Sequence, residues 1–239
     1  MALGPVGDMF VTAGFLLEAA VAVSSLYRRE FVRYLNLNIY MILNGVADYA
    51  LLTCAQQYGV HSHRYFIMYY SADILLGVLM YALIIELYQH AFARTDVREY
   101  IRLGAGMLLL ITALFSYVMV HNQHQGISTK FAVELEQNLN FVGVVLTYIL
   151  AGSLLKMEEK PARLVQIVMA LGVYFSATAG TYAVRNLFPA LDMSFVKWLS
   201  TCAGIWLPLA CTYSFIHETR DESGASAHQS ARQLAVNPQ

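Results

Sequence analysis

Long apolar stretches separated by short polar connections make up most of the chain. Seven stretches reach the length of about 20 residues that an α-helix needs to cross roughly 30 Å of hydrocarbon. They cover residues 9–27, 35–58, 65–89, 101–120, 131–155, 163–185 and 195–217. Because they are continuous, and not ten-residue segments of alternating polarity, they predict helices and not a β-barrel. The sequence therefore predicts an all-α membrane protein, a seven-transmembrane-helix bundle.

The connections between the stretches are too short to hold a further folded unit, so the pattern predicts one transmembrane domain over residues 1–217. Residues 218–239 are rich in Ala, Ser and Gln and predict a disordered tail. Residues 1–8 contain no Lys or Arg, and Glu18 interrupts the first apolar stretch. Both features oppose a cleaved signal peptide and favour a first helix that stays in place.

The composition leads to the same class of protein. Hydrophobic residues make up 58% of the chain and charged residues 13%, against about 25% charged in a typical soluble domain. A chain of this kind has too little polar surface to cover a soluble globule, and it is too apolar to be disordered. The net charge of -1 gives no basic surface for nucleic acid. The predicted partner is the lipid bilayer of a plasma membrane or a bacterial inner membrane.

Lysine and arginine are distributed unequally between the two sets of connections. Four of them, Arg64, Lys130, Arg185 and Lys197, lie at one set of helix ends, and the other eleven lie at the opposite set. Those eleven are Arg28, Arg29, Arg33, Arg94, Arg98, Arg102, Lys156, Lys160, Arg163, Arg220 and Arg232. Cytoplasmic loops carry the excess of positive charge. The distribution predicts an amino terminus outside and a carboxyl terminus, with its tail, in the cytoplasm.

Acidic and amide side chains lie inside the predicted helices, where charged residues are rare and functional by default. Glu18, Asp48 and Asp73 lie on three different helices. At a rise of about 1.5 Å per residue, each lies about 12 to 15 Å from the outer end of its apolar stretch. Asn44 lies one helical turn before Asp48, so these two polar side chains share one face of the second helix. The fifth helix adds polar residues in its outer half. We predict an outward-facing cavity lined by Glu18, Asn44, Asp48, Asp73, Glu134 and Asn138.

Two interpretations of these acids stay open at the level of sequence. No Lys or Arg lies in a helix core at the same depth, so the acids must be protonated, hydrated or neutralised by a bound cation. That interpretation predicts a ligand or ion site. Alternatively, the polar side chains only connect neighbouring helices by hydrogen bonds, at about 0.6 kcal/mol for each bond.

Two further features suggest chemistry. His61, His63, His121 and His124 lie in outer connections and could bind a metal ion if the two connections meet. Pro208 interrupts the backbone hydrogen bonding of the seventh helix, which makes it a candidate hinge.

Three functions are compatible with this pattern. The first is a binding or sensing module for a small ligand or ion, which needs a cytoplasmic or membrane partner protein if it signals. The second is a proton- or cation-coupled transporter of small solutes, in which the acids carry the coupling ion. The third is a metalloprotein that uses the outer histidines. Glycine-rich nucleotide loops, G-x-S-x-G and H-E-x-x-H are absent, which points away from an enzyme and names no cofactor.

Overall fold

The residues that the structure describes fold into seven helices. The computed structural model describes residues 5–93, 98–121, 127–157, 162–188 and 193–217, and within these ranges the secondary structure is helical with no strand. The helices are α1 Pro5–Tyr27, α2 Leu35–Tyr58, α3 His63–Ala91, α4 Arg98–His121, α5 Ile127–Lys156, α6 Ala162–Leu187 and α7 Met193–Ile216. The predicted seven-helix pattern is confirmed, with boundaries that differ by at most four residues. The predicted tail lies outside the described residues.

The helices have the length and surface of membrane spans. Within the described ranges, α2 to α7 are long and apolar enough to cross a membrane, and in α1 the apolar part Thr12–Tyr27 is shorter. Large apolar side chains such as Leu110, Ile111 and Leu114 on α4 are more than 60% exposed. Such a surface is stable in lipid and not in water. The chain is a multi-pass membrane protein.

Six of the seven helices form a closed ring. In the order α1, α2, α3, α5, α6 and α7 each helix packs on the next, and α7 returns to α1. Helix α4 lies outside the ring, against α5 and α3. Two hydrogen bonds hold it there: the Tyr81 hydroxyl donates to the Ala105 carbonyl at 2.8 Å, and the Asn138 side-chain amide donates to the Ser116 hydroxyl at 2.9 Å.

The two ends of the ring differ in charge. One end, here called the arginine-rich end, holds Arg28, Arg29, Arg33 and Arg163 and is formed by the end of α1 and the start of α2 and α6. The other, here called the opposite end, includes the connection 59–62 between α2 and α3. Which end faces the cytoplasm follows from the loop charges and stays a prediction.

The connection between α1 and α2 joins several helices at the arginine-rich end. Glu30 forms an ion pair with the buried Arg163 at the start of α6. Arg28 donates from Nη2 to the Ile216 carbonyl at the end of α7 at 2.9 Å. These contacts position α6 and α7 relative to α1 and close the ring at this end.

A second contact at this end fixes the start of α2. The Glu86 carboxylate on α3 accepts a hydrogen bond from the Asn36 backbone N–H at 3.1 Å. The first N–H groups of a helix lack intrahelical partners and carry the positive end of the helix dipole, so a carboxylate stabilises them. Helix α2 is therefore held in position against α3.

The apolar core fills the half of the ring near the arginine-rich end. Its fully buried side chains include nine residues from five helices: Leu37, Leu83, Ile84, Leu87, Leu150, Leu154, Ile167, Leu171 and Phe215. Close packing of this kind leaves no space for a ligand. In the other half the ring encloses a cavity that is lined by many polar side chains.

Candidate functional site

A cavity of about 510 Å³ lies between the helices of the ring, from its middle towards the opposite end. Each of the six ring helices contributes to its wall, and the peripheral α4 contributes no described residue. The polar lining residues are Glu18, Tyr40, Asn44, Tyr69, Glu136, Tyr174, Thr178, Thr181, Tyr182, Arg185 and Ser200. Ligand pockets in proteins commonly measure about 300–1,000 Å³, so the cavity has room for a small molecule.

Glu18 on α1 is the most deeply buried acid of the cavity, with 5% of its surface exposed. Its Oε1 accepts a hydrogen bond from the Asn44 side-chain amide on α2. Its Oε2 is buried and has no hydrogen-bond partner among the described residues. The carboxyl fits here because Gly45 has no side chain: a Cβ at that position would lie 2.6 Å from Oε2.

Tyrosines close the cavity at the middle of the bundle. The hydroxyls of Tyr40 on α2 and Tyr174 on α6 lie 3.5 Å apart, with Leu207 of α7 beside them in the wall. Tyr40 is 5% exposed and Leu207 1%. The apolar core begins directly beyond these side chains. The cavity therefore has a floor on the side of the arginine-rich end.

Two carboxyls on other helices are each paired with a tyrosine hydroxyl. Glu136 on α5 is hydrogen-bonded to Tyr182 on α6, and both line the cavity. Asp73 on α3 is hydrogen-bonded to Tyr69, which lies one turn earlier and lines the cavity itself. The cavity lining thus combines carboxyl groups, whose oxygens accept hydrogen bonds, with four tyrosines.

Arg185 brings a cation to the end of the cavity away from the floor. It lies on the face of α6 that also presents Thr178, Thr181 and Tyr182, because these four residues follow helical spacing. Its side chain is exposed, and it forms no ion pair with a carboxylate among the residues that the structure describes. The sequence places Arg185 only among the loop charges, so its position in the cavity was not predicted.

The predicted cavity residues are distributed over three environments. Glu18 and Asn44 line the cavity, as does the predicted hinge Pro208. Asp48 and Asp73 lie beside it: Asp48 is exposed one turn beyond Asn44, within electrostatic range of Glu18 and Asp73.

The remaining two predicted residues lie elsewhere on α5. Glu134 and Asn138 are not part of the lining, and Asn138 points to Ser116 on α4. Glu136 lies about 200° around the helix from both, at 100° per residue, and faces the ring. The sequence signal for Glu136 is present in the same polar run, but nothing in that run shows which side of α5 meets α4.

Pro208 changes the backbone of the cavity wall. It lies inside α7 and lines the cavity together with Gly204, one turn earlier. Because proline has no N–H, the carbonyl of Gly204 lacks its usual α-helical donor. This carbonyl adds a hydrogen-bond acceptor to α7, which is the neighbour of α1 in the ring. Whether Pro208 also acts as a hinge stays a prediction.

The outer histidines do not form a described metal site. His61, His63 and His121 are exposed, and His121 stacks on Tyr117 with ring centroids 5.8 Å apart. Within the described ranges no three His, Cys, Asp or Glu side chains come close enough to hold one metal ion. His124 lies outside those ranges, so the four-histidine site stays a prediction.

Comparisons with known proteins assign no family to the chain. Neither the family models nor the curated proteins nor the solved structures gave a match. Any function must therefore be argued from the cavity itself. Its described lining contains two carboxylates, one guanidinium and four phenols, and no Ser–His or Cys–His pair for nucleophilic catalysis. This set is suited to binding a small cation.

Proposed function

We propose that the protein binds a small organic cation in the central cavity, entering from the opposite end. The observation that carries this proposal is the Glu18 carboxyl, which lines the cavity while its Oε2 is buried without a hydrogen-bond partner in the part of the chain that the structure describes. A buried carboxylate without compensation costs several kcal/mol, whereas an ammonium group bound in the cavity beside Glu18 compensates its charge. With the orientation predicted from the loop charges, the ligand arrives from outside the cell.

The remaining lining residues are compatible with an organic cation larger than a metal ion. Cations bind favourably over the faces of tyrosine rings, by about 0.5 to 2 kcal/mol for each contact. Tyr40, Tyr69, Tyr174 and Tyr182 supply four such rings around the cavity. A volume of about 510 Å³ exceeds what a bare ion needs and admits an amine with a carbon skeleton.

One-sided access favours binding or sensing over transport as the proposed function. The floor formed by Tyr40, Tyr174 and Leu207, with the apolar core behind it, separates the cavity from the arginine-rich end. A transporter must open this barrier during its cycle. Pro208 and Gly204 lie in the wall of α7 where such a movement would start, so transport is the second candidate.

Binding is tested by calorimetric titration of the purified protein with benzylamine, its neutral analogue benzyl alcohol, and sodium chloride. We expect benzylamine alone to bind. Glu18→Gln keeps the size of the side chain and removes its charge, and a buried hydrogen bond to a charged group contributes about 1.5–3 kcal/mol. The variant should therefore bind benzylamine at least tenfold more weakly.

The matched control is Glu134→Gln, because Glu134 is an acid of the same half of the bundle that does not line the cavity. It should bind benzylamine as the wild type does. Equal affinity in wild type and Glu18→Gln would exclude Glu18 as the counter-ion. Uptake of radiolabelled benzylamine into sealed vesicles, abolished in Glu18→Gln, would select the transporter over the binding module.

A further inference from the structure

A second pocket, separate from the central cavity, lies on the outer surface of the ring. It is a groove of about 380 Å³ between α1 and α7, close to the arginine-rich end. Phe215 forms its buried floor, while Val23 and Ile216 on its sides are 65% and 61% exposed. The groove shares no lining residue with the central cavity. At this position in a membrane protein it opens towards lipid.

A fixed guanidinium lies at the polar end of the groove. Arg28 is part of the lining, and its Nη2 donates to the Ile216 carbonyl at 2.9 Å, which holds the side chain over the end of α7. Arg29 follows it with an exposed side chain, and Tyr27 on the groove wall is 86% exposed. Arginine and tyrosine at the end of a membrane helix lie at the level of the lipid headgroups.

We infer that this groove binds one anionic phospholipid, with an acyl chain along the apolar groove and the phosphate at Arg28 and Arg29. The apolar walls match a hydrocarbon chain, and the adjacent positive charges match a negative headgroup. Guanidinium groups form paired hydrogen bonds with phosphate oxygens, which ammonium groups do not. This proposal is independent of the function of the central cavity.

The charge at the end of the groove decides which lipid it takes. Every phospholipid supplies an acyl chain, so the apolar part alone does not discriminate between headgroups. A basic residue near an anionic membrane surface contributes about 1 kcal/mol, which is about fivefold in affinity. Two arginines are therefore expected to favour an anionic headgroup over a zwitterionic one by more than tenfold. A lipid at this position also bridges the α1–α7 contact, which closes the ring.

Native mass spectrometry of the intact protein tests the proposal after incubation in mixed micelles with equal amounts of phosphatidylglycerol and phosphatidylcholine. We expect one tightly retained phosphatidylglycerol per chain. Val23→Trp fills the groove without changing the charge and should remove it. The double variant Arg28→Gln, Arg29→Gln should lower the preference for phosphatidylglycerol at least tenfold while leaving retention of phosphatidylcholine unchanged.

Controls separate the groove from other arginine-bearing surfaces. Arg102→Gln removes an exposed charge from α4, outside the ring, and should leave retention unchanged. If the double glutamine variant does not fold, Arg28→Gln and Arg29→Gln are tested singly, and each should lower the preference for phosphatidylglycerol about fivefold. Unchanged retention in Val23→Trp would overturn the groove as the binding site. Equal retention of both lipids by the wild type would overturn the role of the arginines. If Val23→Trp instead shifts a dimer to a monomer without loss of lipid, the groove binds a second copy of the chain and not a lipid.

Discussion

The Glu18 carboxyl lies against Gly45, and this pair determines how the first acid of the cavity is held. One oxygen of Glu18 accepts a hydrogen bond from Asn44, and the other is placed where a Cβ of residue 45 would come within 2.6 Å. Any side chain at position 45 must displace the carboxyl or the Phe15 ring, which lies 3.1 Å from the same point. The absence of a side chain at Gly45 therefore leaves the space that Glu18 Oε2 occupies between α1 and α2.

Gly45→Ala should weaken both the fold and ligand binding. The added Cβ overpacks the contact between α1 and α2, at a cost of about 1–3 kcal/mol in the free energy of unfolding. The higher helix propensity of alanine offsets about 1 kcal/mol of that cost. Because Glu18 must move away from Asn44, benzylamine affinity should fall several-fold. Thermal unfolding in detergent and calorimetric titration measure the two effects.

Gly14→Ala is the matched control for this prediction. Gly14 lies one turn before Glu18 on α1, and a Cβ there meets nothing within 4 Å. The variant should keep wild-type affinity and unfold at the same or a higher temperature. If Gly45→Ala binds benzylamine as tightly as Gly14→Ala does, Glu18 does not depend on the space beside Gly45.

The sequence was sufficient to predict where each helix lies along the chain. It was not sufficient to predict which face of each helix points into the ring. Continuous apolar stretches locate each helix to within a few residues, because membrane thickness sets their length. Glu18 and Asn44 were found because polar residues are rare inside apolar helices and because Asn44 lies one turn before Asp48. On α5 the polar residues Glu134, Glu136 and Asn138 point in different directions, and only the position of α4 decides which of them faces the ring.

The contact between α5 and α6 depends on a second glycine. A Cβ on Gly143 would lie 2.6–2.9 Å from three atoms of the Phe175 ring. Phe175 is 3% exposed and has little room to move. We expect Gly143→Ala to lower the free energy of unfolding by about 1–3 kcal/mol, as overpacking in a core does. Unfolding of the purified protein in increasing concentrations of a denaturing detergent measures this loss.

Gly152→Ala on the same helix provides the comparison. A Cβ at Gly152 has no neighbour within 4 Å, so the substitution should be neutral or stabilising by up to about 1 kcal/mol. Similar losses in both alanine variants would show that α5 requires glycine for its backbone and not for the approach of Phe175.

The two arginines near Glu30 should differ in their contribution to stability. Arg163 is 8% exposed and forms an ion pair with Glu30, whereas the Arg33 side chain is 55% exposed and lies 3.9 Å from the same carboxylate. Removing one partner of a buried pair leaves a buried charge and costs about 3–5 kcal/mol. An exposed pair contributes about 0–1 kcal/mol. Arg163→Gln should therefore lower the melting temperature strongly and Arg33→Gln scarcely.

The effect of salt provides an independent check on this difference. Salt screens exposed pairs more than buried ones, so any effect of Arg33→Gln should disappear at high ionic strength. The effect of Arg163→Gln should persist. Equal losses of stability in the two variants would contradict the assignment of Arg163 as the residue that joins α6 to the connection between α1 and α2.

Asn44 and Asn138 separate a binding site from simple helix packing. Both donate a side-chain hydrogen bond to a neighbouring helix, Asn44 to Glu18 and Asn138 to Ser116. Only Asn44 lines the cavity. An interhelical hydrogen bond contributes about 0.6 kcal/mol on average, so Asn44→Ala and Asn138→Ala should lower stability by similar small amounts. Benzylamine affinity should fall in Asn44→Ala alone, because Glu18 then loses the group that orients it.

The comparison is informative because Asn44 and Asn138 look alike in the sequence, each being a polar residue one turn from an acid inside an apolar helix. A double-mutant cycle of Asn138 with Ser116 should give a coupling energy near 0.6 kcal/mol and no change in benzylamine affinity. A loss of affinity in Asn138→Ala as large as in Asn44→Ala would mean that binding follows the integrity of the bundle and not the cavity. Unchanged affinity in both variants would place the benzylamine outside the cavity, since the carboxyl that Asn44 orients would then have no part in holding it.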